Sequence, residues 1–290
     1  MVAASEEETI DRPRRRWRIP LSLSGRIGFY LVALVLVAVI VGPLLWRVDP
    51  FAQSLIRALQ GPSAVHPLGT DQQGRDLLAR ILAGGGVSLL IGFGSMLVGL
   101  VAGTVIGVFA ALSGGVVRAV LLRLVDALLA IPGIVQAVIL VAVLGQGIGP
   151  LVIALGIYST PIFARVAYAA TRQVRNEAYF HAARTLGAGH LRMVIFHVVP
   201  NITTPMITIA TLRVGANILT GAALNFFGLG VQPPASEWGL MIADARTYSW
   251  SNPMLLFYPG VCLFITSLGF SLLGDGLRDW LDPHSRESGR

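Results

Sequence analysis

Six stretches of mostly apolar residues dominate this chain, and each is long enough to cross a lipid bilayer. A spanning helix needs roughly 20 such residues. The stretches cover residues 27–46, 86–112, 119–144, 148–170, 197–224 and 254–276. Only 13% of the residues are charged, which is about half the share typical of soluble domains. The sequence therefore predicts an all-α membrane protein with six transmembrane helices.

Arginine supplies all of the basic side chains, and its distribution predicts the orientation of the chain. There are 22 basic residues and no lysine. With the N-terminus in the cytosol, sixteen arginines fall on the cytosolic side of the spans and five on the outer side. Positive charge is enriched in cytosolic loops, so both termini are predicted to be cytosolic. This sorting across a bilayer also explains the net charge of +7 without a nucleic-acid partner.

The spans divide the chain into one membrane domain with a short tail at each end. The predicted parts are a basic cytosolic tail at 1–25, the transmembrane domain at 26–283 and a cytosolic tail at 284–290. Polar intervals predict outer loops at 47–85 and 225–253 and a cytosolic loop at 172–200. The first apolar stretch is too long for a signal peptide and has no small-residue cleavage site behind it.

Local patterns predict further detail within the membrane domain. Residues 72–82 are expected to form a short helix along the membrane surface. Pro132 should bend or break the third span, because proline removes a backbone donor and clashes with the preceding turn. Arg123 and Asp126 lie three residues apart on one helical face and are predicted to pair. Small residues at a spacing of four predict a close helix contact in the second span: Gly99, Gly103 and Gly107.

The cytosolic loop has the pattern of a short amphipathic helix. Apolar residues recur at helical spacing and form one predicted stripe: Tyr179, Ala182, Ala183 and Leu186. Glu177 falls in the expected first turn, where the helix dipole favours a carboxylate. Gly187 suits the left-handed conformation that ends many helices. Amphipathicity alone leaves two interpretations open, since such a helix rests either on lipid or on another protein.

Five motifs, in order along the chain, resemble those of the C-type permease subunit of dipeptide and oligopeptide ABC importers. They are HPLGTDQQGRDLLAR at 66–80, LRLVDALLAIPG at 122–133, HAARTLGAGHLRMVIFHVVPN at 181–201, FFGLGVQPPASEWGLM at 226–241 and LLGDGLRDWLDP at 272–283. The resemblance implies the type I ABC importer permease fold in a bacterial inner membrane. It also implies peptide cargo, with nickel, glutathione or another small solute as the alternative.

The same resemblance implies a set of partners. These are a homologous second permease, two ABC ATPase subunits and an extracytoplasmic solute-binding protein. The cytosolic helix, at about 176–189, corresponds to the coupling helix that docks on an ATPase. The residues carried over to this role are Glu177, His181, Ala182, Ala183, Gly187 and Pro200. His181 stands where the family usually has glutamate, which accepts hydrogen bonds from arginine better than neutral histidine does.

Four further residues are predicted to have roles outside the cytosolic loop. By analogy with the family, Asp71, Arg75 and Trp238 in the outer loops are expected to contact the binding protein. Arg213 falls near the middle of the fifth span, where an unpaired arginine costs several kcal/mol. It is expected either to line the path and attract a peptide carboxylate, or to pair with the second permease or reach the outer interface.

Motifs for catalysis are missing from the sequence. The phosphate-binding loop G-x-x-x-x-G-K-[ST] requires a lysine, and neither H-E-x-x-H nor G-x-S-x-G occurs. We therefore expect no catalytic residue, metal site or cofactor in this chain, and expect ATP and Mg to be bound by partner subunits. Two alternatives are an intramembrane aspartyl protease using Asp126 and Asp275, and a secondary transporter, which would place acids near the membrane midplane.

Overall fold

The computed structural model describes residues 22–281, which form ten α-helices and no β-strand. The helices are α1 Leu23–Leu45, α2 Leu77–Leu112, α3 Gly115–Ala130, α4 Gly133–Leu144, α5 Ile148–Asn176, α6 Ala178–Thr185, α7 His190–Met193, α8 Val199–Phe226, α9 Trp238–Ala245 and α10 Met254–Leu281. A π-helical turn, Val194–Val198, joins α7 to α8. The tail predicted at 284–290 and nearly all of that predicted at 1–25 lie outside the described residues.

The predicted spans correspond to five unbroken helices and one broken pair. Helices α1, α2, α5, α8 with α7, and α10 are each long and apolar enough to cross a bilayer. The remaining span is divided into α3 and α4, which meet at 99°. Pro132 lies at the break, and Ile131 before it has the extended backbone that a following proline favours. The predicted effect of Pro132 is confirmed.

Hydrogen bonds between distant helix ends show that the broken pair crosses the bundle once. At one end, Gly147 N, just before α5, donates to Gly230 O, just after α8, over 3.0 Å. Trp238 Nε1 of α9 donates to Ile81 O near the start of α2. At the other end, Arg175 Nη1 of α5 donates to Ala111 O of α2 over 2.9 Å. Since α2 and α5 run in the same direction, the chain between them must cross back.

The first and last helices complete six crossings. Trp46 Nε1, after α1, donates to Asp76 Oδ1, before α2, over 3.0 Å. Near the opposite end, α1 and α10 approach so closely that a Cβ on Gly276 would lie 2.2 Å from the Cα of Gly25. Residues 22 and 281 therefore lie on the side of the bundle that carries α6, which we call the α6 side. Residues 46–76 and α9 lie on the opposite side, the α9 side.

A glycine face on α2 forms a close contact with α5. A Cβ on Gly103 would lie 2.5 Å from the Cβ of Phe163, and a Cβ on Gly107 would lie 2.3 Å from the carbonyl oxygen of Ala164. The close approach of α2 to α5 therefore depends on the missing side chains, and the predicted close contact is confirmed. Asn217 of α8 adds a polar tie, because it accepts from Ser159 Oγ of α5 and donates to Ser95 Oγ of α2, both over 2.9 Å.

Two local predictions are wrong. Residues 72–82 do not form a separate surface helix, because Asp76 Oδ1 accepts from Ala79 N over 2.7 Å and starts α2 there. The resulting helix of 36 residues is about 54 Å long at 1.5 Å per residue. Asp126 does not pair with Arg123 on its own helix. It pairs instead with Arg165 of α5, which ties the broken span to its neighbour.

Candidate functional site

Helix α6 lies between two spans and is joined to each by only a few residues. Glu177 alone separates α5 from α6, and its carbonyl accepts from Phe180 N over 3.1 Å. After α6, Gly187 adopts a φ of +85°, and Ala188 N donates to Ala183 O over 3.1 Å. This is the closing geometry that a left-handed glycine allows. The predicted helix at 176–189 is therefore shorter, at Ala178–Thr185, and Gly187 ends it as predicted.

The predicted apolar stripe on α6 is divided between two faces. Phe180, which the stripe did not include, is the residue that turns inward, with 5% of its surface exposed, and it joins a buried cluster with Met193 and Val198. Ala183 is half-buried against that cluster. Leu186 is 88% exposed, and Tyr179 and Ala182 are also exposed. A buried face thus anchors the helix, and an apolar face is left open.

The other residues predicted for coupling are at the surface on the same side. Glu177 is exposed, and its side chain makes no capping hydrogen bond to α6. His181 is exposed on α6, and Pro200 is exposed in the first turn of α8. Proline is tolerated there because the first turn of a helix needs no backbone donor from it. The predicted set is thus gathered at one end of the bundle.

The residues predicted to meet a binding protein are instead inside the α9 side. Arg75 is 2% exposed and Trp238 is 2% exposed. Asp71 is also buried, and it accepts from Arg75 Nε over 2.6 Å and lies 3.4 Å from Arg80 Nε. Trp238 fills the core under α9. These buried side chains hold the loops of the α9 side in place.

Two carboxylates on the α9 side organise it and were not singled out from the sequence. Asp76 caps α2 and lies 2.8 Å from His66 Nδ1. Glu237 caps α9 through Leu240 N and also accepts from Ser88 Oγ over 2.7 Å and Asn225 Nδ2 over 2.7 Å. Burial raises the pKa of Glu237, and these hydrogen bonds offset part of that rise. An acidic residue directly before a helical apolar run is the sequence signal that could have identified both.

Arg213 lies in the middle of α8, as predicted, and is half-buried. None of the residues from 22 to 281 gives its side chain a hydrogen bond or an ion pair. Asn217, one turn further along, is already bonded to Ser95 and Ser159. No described residue therefore occupies the guanidinium of Arg213.

Comparison with known proteins adds a family to this geometry. The profile of the family described as "binding-protein-dependent transport system inner membrane component" matches residues 103–287. The chain belongs to this family. Members of this family are multi-pass proteins of the inner membrane. The membership of this chain therefore implies ATPase and binding-protein partners. The predicted resemblance to an ABC importer permease is therefore confirmed.

Individual relatives are permease proteins named for different cargoes. The chain is 44% identical to the di/tripeptide transport system permease protein DppC of Pseudomonas aeruginosa, over 78% of this chain and 74% of the relative. It is 40% identical to the glutathione transport system permease protein GsiD of Pectobacterium atrosepticum, over 78% and 75%. It is 37% identical to the nickel transport system permease protein NikC of Escherichia coli, over 90% and 94%.

A solved structure supports the fold. A chain of the MetNI methionine ABC transporter, in an inward-facing conformation, superposes with a TM-score of 0.57 at 20% sequence identity. The match covers 70% of this chain and 96% of the other. The bundle of six crossings is therefore the fold of a type I ABC importer permease, as predicted.

Proposed function

We propose that this chain is a permease subunit of an ATP-driven importer of di- or oligopeptides. It forms half of a translocation path with a homologous second permease. Two ABC ATPase subunits bind on the α6 side, which the arginine distribution assigns to the cytosol. A solute-binding protein delivers the cargo on the α9 side. ATPase closure shifts the bundle between inward-open and outward-open states, so the chain acts by conformational change.

The observation that carries this proposal is the open apolar face of α6. Tyr179, Ala182 and Leu186 expose that face, while Phe180 fixes the helix to the bundle. Because α6 continues into α5 on one side and α7 and α8 on the other, a force on it reaches two spans. An exposed apolar patch on an anchored helix is typical of a docking site. Such a patch fits contact with protein or with lipid, and the ATPase partners that the family implies favour protein docking.

Replacement of Gly187 by valine tests the coupling role. A β-branched residue disfavours the φ of +85° at this position, so the end of α6 should be displaced. We expect peptide uptake to fall at least tenfold while membrane insertion is retained. Gly189→Val is the matched control, since Gly189 has a φ of −66° and open space around it. Undiminished uptake by Gly187→Val would contradict the assignment of α6 as the coupling helix.

Peptides are the proposed cargo because the chain is 44% identical to the di/tripeptide permease, against 40% for the glutathione permease and 37% for the nickel permease. The glutathione and nickel permeases follow closely, and they define the alternatives. Parallel uptake of labelled dipeptide, glutathione and nickel by vesicles containing the complete importer separates the three. Uptake of glutathione or nickel without uptake of the dipeptide would refute the peptide assignment.

Arg213 is proposed to line the path. Its half-buried guanidinium has no bond within the described chain, and a peptide C-terminus carries the complementary charge. Arg213→Ala should reduce uptake of a free-acid dipeptide about tenfold and uptake of the amidated dipeptide much less. Equal losses for both peptides would favour the other interpretation, in which Arg213 pairs with the second permease.

The contact with the binding protein is proposed to use exposed residues of the α9 side. Ile56 and Trp250 are almost fully exposed there, and the buried Asp71, Arg75 and Trp238 support the loops behind them. The test is whether Trp250→Ala weakens binding-protein association while Ile27→Ala, an exposed residue near the α6 side, does not. Equal effects would argue against a specific surface.

We infer that the chain itself is not catalytic and binds neither ATP nor Mg, which the partner ATPase subunits hold. Asp126 is paired with the cation of Arg165. A carboxylate held in this way is not placed to share a proton with a second acid, as an aspartyl protease requires. ATP hydrolysis by the purified chain in the absence of ATPase subunits would overturn this inference.

A further inference from the structure

The segment that contains α6 and α7 carries a large excess of positive charge. Residues 172–200 include four arginines, three histidines and a single glutamate. Arg184, His190 and Arg192 are exposed there. A surface with a net positive charge favours binding to a partner that carries negative charge.

A cavity of about 130 Å³ lies beneath α6 within this positive segment. Its apolar floor is formed by Phe180 and Met193, which are buried. Arg175, Arg184 and His190 provide its polar lining, and none of its lining residues is acidic. Arg175 is bonded to Ala111 O, but no residue from 22 to 281 gives the side chains of Arg184 or His190 a hydrogen bond. We call this cavity the basic cleft.

The basic cleft lies on the side of the bundle where the proposed ATPase partner would dock. Its exposed residues, Arg184 and His190, belong to α6 and α7, beyond the ends of α2 and α5. The half-buried Arg175 belongs to α5 and forms the inner wall. The mouth therefore lies on the α6 side, at the ends of the spanning helices, where an ATPase subunit of the proposed importer would meet it.

Building on the proposed function, we propose that the basic cleft receives an Asp or Glu side chain of the ATPase subunit that docks on α6. Arginine forms charge-assisted hydrogen bonds with carboxylates, and these bonds are stronger than neutral ones. The methylene groups of the inserted side chain would contact Phe180 and Met193. The cavity is several times the roughly 30 Å³ that one water molecule occupies in liquid, so a carboxylate side chain has room to enter.

The absence of lysine from the chain allows a direct test. Arg184→Lys introduces the only lysine side chain while retaining a positive charge at the mouth of the cleft. A carbodiimide, which couples an amine to a carboxylate in contact with it, is added to the purified complex with the ABC ATPase subunits. We expect a cross-linked product of this chain with an ATPase subunit, and mass spectrometry should locate the joined Asp or Glu.

Two controls show whether the cross-link depends on the lysine and on its position in the cleft. Arg192→Lys places a lysine on the same exposed segment but outside the lining of the cleft, and it should give at least tenfold less product. The unmodified chain reports any reaction of the N-terminal amine. An intact complex without a cross-link from Arg184→Lys would overturn the proposal. So would a cross-link to Glu177 of this chain, because the acid would then be internal.

Charge reversal separates failure of this inference from failure of the proposed function. Arg184→Glu should weaken association with the ATPase subunits about tenfold more than Arg192→Glu does. If Arg184→Glu has no such effect while Gly187→Val impairs uptake, the cleft assignment fails and the coupling role stands. If neither variant has an effect, the proposed function itself fails. An effect of Arg184→Glu found only in phosphatidylglycerol nanodiscs, and not in phosphatidylcholine, would assign the cleft to lipid and refute the proposal.

Discussion

The side chain of Glu237 connects three helices through one carboxylate. It accepts from Ser88 of α2, from Asn225 of α8 and from the backbone of Leu240 in α9. Burial of the charged form raises its pKa despite these donors. A buried acid of this kind makes the stability of the surrounding structure depend on pH.

Glu237→Gln should therefore change how stability varies with pH. Because the folded-state pKa is raised, the contribution of Glu237 is full below its ordinary value of 4.5 and is lost as pH rises through the raised value. The glutamine variant lacks this titration and loses one acceptor, which costs about 1–3 kcal/mol. We expect the difference in unfolding temperature between wild type and variant to narrow as pH rises, measured by thermal unfolding in detergent.

Glu177→Gln provides the control for that experiment, since Glu177 is exposed and caps nothing with its side chain. Its unfolding temperature should follow that of the wild type at each pH. A difference for Glu237→Gln that widens with rising pH would mean that the three hydrogen bonds outweigh the cost of burial.

Among the helices, α2 depends most on glycine, because the missing side chains allow it to pack closely against α5. Gly107→Ala would place a Cβ 2.3 Å from the carbonyl oxygen of Ala164, so α2 and α5 would have to separate. We expect a loss of about 1–3 kcal/mol in the free energy of unfolding. Gly86→Ala lies on the same helix with only Val39 at 3.9 Å, and it should be neutral or slightly stabilising. Equal stability of the two variants would contradict the role of the glycine face.

For single helices, the features that depend on a few consecutive residues could be predicted from the sequence. The break at Pro132, the end of α6 at Gly187 and the glycine spacing on α2 each follow from local backbone chemistry. The start of α2 was predicted wrongly, because the glycines and prolines before it indicate a loop and obscure the capping role of Asp76. The pairing of Asp126 was missed because Arg165 lies 39 residues away, beyond the reach of any helical spacing.

For the whole molecule, hydropathy predicted the number of spans, but burial at the α9 side could not be predicted. Asp71, Arg75 and Trp238 belong to motifs that look polar or interfacial in sequence, and their side chains are buried by contacts that form only in the fold. The contact between Ser88 and Glu237, for example, joins residues 149 positions apart. A motif indicates that residues matter without indicating whether they face solvent.

Orientation in the membrane can be measured with two cysteines in a Cys262→Ser background, which is otherwise free of cysteine. Leu186 and Trp250 are 88% and 99% exposed on opposite sides. We expect Trp250→Cys to react with an impermeant maleimide in intact spheroplasts, and Leu186→Cys to react only after permeabilisation. The reverse pattern would place α6 outside the cytosol and overturn the orientation.

The bond between Asn217 and Ser159 restricts how the bundle can move. Helices α5 and α8, which the chain connects through α6, are joined to each other part-way along their length by this amide and hydroxyl. Ser95 of α2 is bonded to the same amide. Sliding of α5 past α8 would break this buried hydrogen bond, whereas rotation about it would not. If ATPase closure acts on α6 as proposed, we expect α5 and α8 to tilt about Asn217 like the blades of scissors.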